Sequence, residues 1–468
     1  MFTHDEILQA TMARANGAVK MVTSVSTDSR TLQAGALFVA LRGENYDGHQ
    51  FVPDAMRRGA AAVMVESEPD MAVPHYVVDD TLAAYHALAA YHRNRFAMPV
   101  IGITGTNGKT TVKEMVAALL ARAGEPLFSE GNYNNHVGVP MTLLRLKETH
   151  SHAVIEMGMN HVGEIAVLSR LAAPSVAVIT NIGRGHLEFL QTVEHVLAAK
   201  LEILTGLIPG GTLIAPRDSI YFDEMRRAAE AHGARVISFG ITPQADVRCE
   251  VRHSGVDGTR CMVHCGNESR ELALGLPGVH NAVNAAAALA AVRAVEPAYA
   301  LSSAAEVLAR FAPVQMRCQR ERIGGVDVII DCYNANPESM LAALNVLATH
   351  AGGGRHIALL GEMHELGAAA PQCHYDVGVA AARTGVHELI VMGAHAADVI
   401  AGARDAGMDR AHIFEARDAA HAAALVAGLV HDGDCVVLKG SRRAHLEDVL
   451  NALRRAPCMA TPAPYQCR

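Results

Sequence analysis

Short apolar runs bounded by glycine, proline or polar residues recur along the whole chain, and between them apolar positions return every three or four residues. An unbroken or alternating apolar run suits a pleated strand, whereas a period near 3.6 suits one face of a helix. Strands are therefore expected at 36–41 (ALFVAL), 61–66 (AAVMVE) and 75–80 (HYVVDD), with a helix over 81–96 (TLAAYHALAAYHRNRF). Pro99 opens a new strand, PVIGITG, so a boundary is placed near residue 98. Beyond it, strands at 151–158, 175–183, 211–216 and 234–240 alternate with helices. That alternation implies a parallel sheet covered on both faces. Residues 246–276 alternate polar and apolar, with turns at Gly255, Gly258 and Asn267, and predict an antiparallel appendage; the helix GVHNAVNAAAALAAVRAV follows. After Ala312-Pro313, runs at 326–331, 355–361, 387–393, 411–416 and 434–440 alternate with alanine-rich helices. They predict a Rossmann-like, doubly wound C-terminal domain. The expected fold class is α/β with three domains, 1–98, 99–313 and 314–468, the central one a P-loop domain. The last residues, APCMATPAPYQCR, have the composition of a loose tail.

Composition narrows the function classes. The chain has 468 residues, half of them hydrophobic, which suits three domains with sizeable cores. The balance of 40 basic against 48 acidic residues excludes a general nucleic-acid surface, so a polyanionic substrate must meet a local cationic cleft. The polar start MFTHDE predicts no signal peptide, and no apolar run reaches the roughly 18 residues of a membrane span. A cytoplasmic protein with reduced thiols is expected. Its nine cysteines are odd in number and form no CxxC pair, and Cys261 and Cys265 read as one face of a strand rather than as zinc ligands.

The candidate chemistry begins at Gly105-Thr106-Asn107-Gly108-Lys109-Thr110-Thr111. The usual phosphate loop has four residues between its first glycine and Gly-Lys, and here that first position is Ile103. The context is nonetheless right: a strand, glycines that free backbone N–H groups, then a helix N-terminus. Lys109 would face the outer phosphates, and Thr110 would place a hydroxyl on Mg²⁺. Ligands on such sheets bind beyond the carboxyl ends of the strands. Glu156 ends one strand, and Asn181 and His186 follow another. Glu156 reads either as a surface acid or as a metal ligand, and His186 as a loop cap or a ligand. Lys200 falls on the apolar stripe of its helix with Val196 and Leu204. Either its stem packs and its tip reaches water, or it is buried, loses its proton and is carbamylated by CO₂ into a metal-ligating carboxylate.

GTNGKTT, the Glu156 strand end, NIGRGHLE, AAKLEI and GVHNAVNAAAALA occur in the order and approximate spacing of the Mur ligase family, whose members add amino acids to the bacterial cell-wall precursor. The chain resembles that family over nearly its whole length, and the family's short phosphate loop accounts for the unusual spacing. GNYNNHVGVP (131–140) and DCYNANPESM (331–340) resemble signatures of the members that add D-alanyl-D-alanine. The resemblance implies ATP, two Mg²⁺ ions, a UDP-N-acetylmuramoyl-tripeptide acceptor, D-alanyl-D-alanine as the amine, and a monomer. It implies that Lys109 neutralises phosphates, that Thr110 and Glu156 hold magnesium, and that His186 and carbamylated Lys200 serve a second metal. Asn281, Asn284, Arg317, Asp331 and Tyr333 would surround the nucleotide, with Arg320 and Arg322 as alternatives to Arg317. Asp28, Ser29, Arg30, Asn45, Asp47, Gly48 and His49 fall where the uridine diphosphate sugar would bind. Asn334, Asn336, Ser441 and Arg442 would wall the dipeptide site. A diamino-acid-adding ligase of the same family, or a P-loop ATPase of other function, remains an alternative.

Overall fold

The computed structural model describes residues 1–17, 19–43 and 46–455. Three large sheets organise them, beside a two-stranded antiparallel pair of Phe2–Thr3 with Met21–Val22. The first runs Arg14–Asn16, His75–Val77, Ala62–Val65, Leu37–Val39, Val25–Ser26, parallel except at the Arg14–Asn16 edge. The strand expected to reach residue 80 stops at Val77. Asp80 is instead the cap of the helix Thr81–Arg93, its carboxylate accepting from Leu82 N at 2.8 Å and Ala83 N at 3.0 Å. That helix packs on Gly138–Leu143 and Glu164–Ala172 of the next unit. Arg93 donates to Ala172 O at 2.8 Å and Ala173 O at 3.2 Å, placing a cation on orphan carbonyls at a helix C-terminus.

The central sheet runs Glu125–Phe128, His150–Glu156, Val100–Thr104, Val176–Ile179, Thr212–Pro216, Arg235–Gly240, Val247–Gly255, all parallel, then Gly258–Cys265 and Glu268–Leu274, antiparallel. The antiparallel appendage is thus continuous with the sheet. The edge strand Glu125–Phe128 gives no sequence signal: it is four residues long and contains Pro126, which only an edge tolerates. The helix Val279–Val295 buries nearly every alanine from Ala282 to Ala291, because a ridge of small side chains lets it lie close on the sheet.

The third sheet runs Gln319–Ile323, Val326–Asp331, Cys435–Lys439, His356–Leu360, Glu388–Val391, Ile413–Glu415, parallel except for its first strand. Gln319–Ile323 is another strand that the apolar pattern does not predict, joined to Val326–Asp331 through Gly324-Gly325. Both glycines have positive φ, 55° and 86°, as the tight hairpin turn demands. No helix among the described residues is long and apolar enough to cross a membrane.

Candidate active site

The three strands Val176–Ile179, Val100–Thr104 and His150–Glu156 are neighbours, so their carboxyl ends bring Asn181, the phosphate loop and Glu156 to one crevice. Gly105 has φ 145°, and a Cβ there would stand 1.9 Å from Thr180 Oγ1. Gly108 has φ 79°, and a Cβ would meet Asn284 Oδ1 at 2.5 Å. Only glycine fits either position. The loop is braced by its neighbour: Asn181 Oδ1 accepts from Asn107 N at 2.8 Å, and Asn181 O accepts from Thr106 N at 3.1 Å. Lys109 Nζ folds back onto Gly105 O (2.7 Å) and Thr106 O (3.2 Å). Burial pulls its pKa down to about 8, with Glu156 opposing and Arg317 adding to the fall.

Beside Lys109, buried polar atoms stand without partners: Thr104 Oγ1, Thr110 Oγ1, Glu156 Oε2 and Lys200 Nζ. Each such orphan costs about 1–3 kcal/mol unless a ligand satisfies it. Glu156 is held by its other oxygen, which accepts from Asn134 Nδ2 at 2.8 Å. His186 has a left-handed backbone, φ 58°, strained for a residue with a Cβ. Its Nδ1 lies 2.6 Å from Glu365 Oε2 but off the direction of a ring hydrogen bond. Burial lowers the His186 pKa despite Glu365, so the ring is neutral and able to ligate at neutral pH. Lys200 is fully buried, and burial followed by the charge of Lys109 takes its pKa well below the ordinary amine value. No three His, Cys, Asp or Glu side chains among the described residues form a complete metal cage. Thr110 and Glu156 do offer hard oxygen donors, and Mg²⁺ ordinarily completes its shell with phosphate oxygens and water. The donor set therefore fits that cation.

The C-terminal unit closes over this crevice and forms with it a cleft of about 380 Å³. Thr106, Asn107, Gly108, Lys109, Thr111, Glu156, His186, Asn281, Asn284, Arg317, Asp331, Tyr333, Asn334 and Asn336 all line it. Arg317 lies over the Tyr333 ring at 4.3 Å, between Met316 and Cys318, whose φ values of 62° and 48° mark a strained turn. Arg320 and Arg322 are elsewhere, paired with Asp327 at 2.8 and 3.9 Å. Asn281 Nδ2 donates to Pro277 O at 2.7 Å, and its Oδ1 accepts from Asn284 Nδ2 at 3.2 Å. Asp331 is fixed by Lys439 Nζ at 3.0 Å.

Other expected site residues do not reach the cleft. Among the described residues, Asp28, Ser29, Arg30, Asp47, Gly48 and His49 do not line it, and Asn45 lies outside the described residues. Asp28 and Arg30 pair with each other at 2.8 Å. Asp47 caps a short helical turn through His49 N (3.0 Å) and holds His49 Nδ1 at 2.6 Å, while His49 Nε2 accepts from Glu66 N at 2.9 Å. His49 is thereby fixed as the Nδ1–H tautomer. Ser441 is buried, its Oγ accepting from His364 N at 3.2 Å. Arg442 rests on Met316 Sδ at 2.8 Å and lines an adjoining cavity with Thr110 and Tyr333.

Several contacts at the site carry no signal in the local sequence. Asn107 and Asn336 exchange amide hydrogen bonds of 3.1 and 2.8 Å across 229 positions. Glu338 accepts from Arg184 N at 3.1 Å and Arg184 Nε at 2.9 Å. These contacts dock the C-terminal unit on the phosphate loop. Glu338→Ala removes a half-exposed, solvent-screened charge pair worth about 1 kcal/mol. The Michaelis constant for nucleotide is expected to rise about fivefold, with less compaction in small-angle scattering on adding nucleotide and substrates. Parental values in both measurements would make the contact incidental to closure.

Comparison with known proteins agrees with this geometry. Models described as the Mur ligase family catalytic domain, the Mur ligase middle domain and the Mur ligase glutamate ligase domain match residues 21–102, 103–292 and 316–442. The UDP-N-acetylmuramoyl-tripeptide--D-alanyl-D-alanine ligase of Escherichia coli is 35% identical over 94% of this chain and 95% of its own length. A crystal structure of MurF from Acinetobacter baumannii superposes with TM-score 0.91 at 31% identity, over 97% of this chain and 99% of that one. MurF ligase from Thermotoga maritima in complex with ADP gives TM-score 0.82 at 26% identity, over 92% and 97%.

Proposed function

The chain belongs to the Mur ligase family, and we infer from that membership that it uses ATP to join D-alanyl-D-alanine to UDP-N-acetylmuramoyl-tripeptide. The observation carrying this reading is that similarity to D-alanyl-D-alanine-adding ligases runs unbroken through all three sheets. Products are the UDP-N-acetylmuramoyl-pentapeptide, ADP and phosphate, in the supply of peptidoglycan precursors. We take units with boundaries near residues 98 and 313, acting as a monomer in the cytoplasm.

A carboxylate is a poor acylating agent because oxide is a poor leaving group. In this reading the terminal carboxylate of the tripeptide attacks the γ-phosphorus of ATP, giving an acyl phosphate and ADP. The neutral amine of the dipeptide attacks the acyl carbon, and phosphate leaves. Lys109 lets go of its loop carbonyls and meets the β- and γ-phosphates, while the backbone N–H groups of residues 108–110 cradle them. Asn281, Asn284, Arg317, Asp331 and Tyr333 hold the nucleoside end. Thr110 and Glu156 would hold one magnesium, and His186 with a Lys200 carbamate a second. When bound, such ions cancel repulsion between the approaching carboxylate and phosphate. Asp28, Ser29 and Arg30, with Asn45, Asp47, Gly48 and His49, would shape the uridine diphosphate site, the last three through the backbone turn that Asp47 caps. Asn334, Asn336, Ser441 and Arg442 would flank the dipeptide. Docking of the C-terminal unit keeps water from the acyl phosphate.

Incubation with ATP, Mg²⁺, D-alanyl-D-alanine and the UDP-linked tripeptide is expected to yield the pentapeptide by mass spectrometry. Oxygen-18 placed in the tripeptide carboxylate should appear in released phosphate. ATP hydrolysis without an amide product, or coupling of a diamino acid in place of the dipeptide, would overturn the assignment.

A further inference from the structure

We propose that Lys113 is a positioning residue for the magnesium end of the site, acting through the loop 129–134; this rests on the reading of Glu156 as a magnesium ligand. Lys113 lies one helical turn after Lys109 on the helix Lys109–Leu120 and is fully buried. A lysine at such a wall position is costly unless its nitrogen is satisfied. Its Nζ donates to Ser129 O at 2.5 Å and to Gly131 O at 3.2 Å, with Glu114 Oε1 at 2.8 Å. It reaches no part of the cleft lining.

The loop it holds leads directly to Glu156. Ser129 Oγ accepts from Glu156 N at 3.1 Å. Three residues beyond Gly131, Asn134 Nδ2 donates to Glu156 Oε1 at 2.8 Å, while Asn134 O accepts from Gly158 N at 2.8 Å. Asn134 thereby leaves Glu156 Oε2 as the unpartnered oxygen of a residue that lines the cleft. Gly158 permits this approach, since a Cβ there would stand 2.9 Å from the Asn134 amide. Gly131, Asn132 and Tyr133 are exposed. One helix thus presents Lys109 toward phosphate and, four residues on, anchors the loop that aims the acidic ligand. Outer-shell partners of this kind typically change metal affinity 10–100-fold.

The test is Mn²⁺ binding to the full chain with a non-hydrolysable ATP analogue, read by electron paramagnetic resonance. Lys113→Met is expected to weaken Mn²⁺ about tenfold, and Lys113→Gln, which can still donate, to recover part of the loss. Asn134→Ala should weaken binding to a similar degree, and Lys113→Met with Asn134→Ala should be no weaker than either alone. The Gln variant alone decides the matter should the Met variant fail to fold. Parental Mn²⁺ affinity in the Lys113 variants beside weakened binding in Glu156→Gln overturns this inference only, as would losses that multiply in the double variant. Parental affinity in Glu156→Gln removes the reading of Glu156, and this inference with it.

Discussion

Lys109→Met is expected to lower kcat/KM for ligation roughly 10³-fold, the scale at which an oriented charge contributes to a transition state, without loss of thermal stability. Lys109 Nζ is part-buried against Gly105 O and Thr106 O, and desolvation has brought its pKa to about 8 from 10.5. Between those values the unfolded chain binds more protons than the folded one, so the protein gains stability as pH rises through that window. Methionine removes this dependence together with the phosphate contact. The check is a pair of pH–melting curves beside steady-state kinetics. The parent's unfolding transition should climb between about pH 8 and 10.5 relative to the variant's. A variant that retains a tenth of parental turnover would show that Lys109 does not stabilise the transferring phosphate.

The same residues show what a sequence can and cannot disclose. Glu156, Asn181 and the phosphate loop are legible because each follows directly on an apolar strand, and strand ends are where such sheets bind ligands. Most strands were legible for the same reason, their apolar runs being buried on both faces. Gln319–Ile323 was not, since an edge strand reading Gln-Arg-Glu-Arg-Ile can leave its polar side chains at the surface. Asn336 caps the helix Pro337–Ala348, and Glu338 lies in its first turn. Their second role, gripping Arg184 and Asn107, depends on partners 154 and 229 positions away. Glu365 is similar: its contact with His186 and the acceptance of Glu188 N by its carbonyl at 2.9 Å arise only on docking. Asp47 and His49 illustrate the converse. They stand in a motif that the resemblance assigns to the nucleotide sugar, and here their side chains bond each other and the backbone and hold a turn.

Lys200→Ala is expected to reduce turnover about 100-fold, in the range found for residues that support a bound metal, and short carboxylates such as formate should restore part of it. Lys200 Nζ is wholly buried, lacks any acceptor and lies within range of the Lys109 cation. The nearby acids are already committed: Glu202 accepts from Gly163 N at 2.6 Å and Ala166 N at 3.1 Å, and Glu164 accepts from Asn160 N at 2.8 Å. A protonated amine is therefore disfavoured, and the neutral amine is a nucleophile toward CO₂. Attack forms an N–C bond, one C=O π pair moves to oxygen, and the nitrogen proton leaves to solvent. The product would be an anion within range of the Lys109 cation, and such a carboxylate is a hard ligand suited to Mg²⁺. Unmodified, Lys200 destabilises the fold at neutral pH and does so less as pH rises toward 10.5, because over that interval the unfolded chain holds the extra proton. Carbamylation would replace that penalty with attraction to Lys109. Carbon-13 bicarbonate should hence give the parent, but not Lys200→Ala, a carbamate resonance, and activity in CO₂-depleted buffer should fall and return on adding bicarbonate. Full turnover in Lys200→Ala, or a parent that carries no label and is indifferent to CO₂, would leave Lys200 as a neutral buried amine with no part in the metal site.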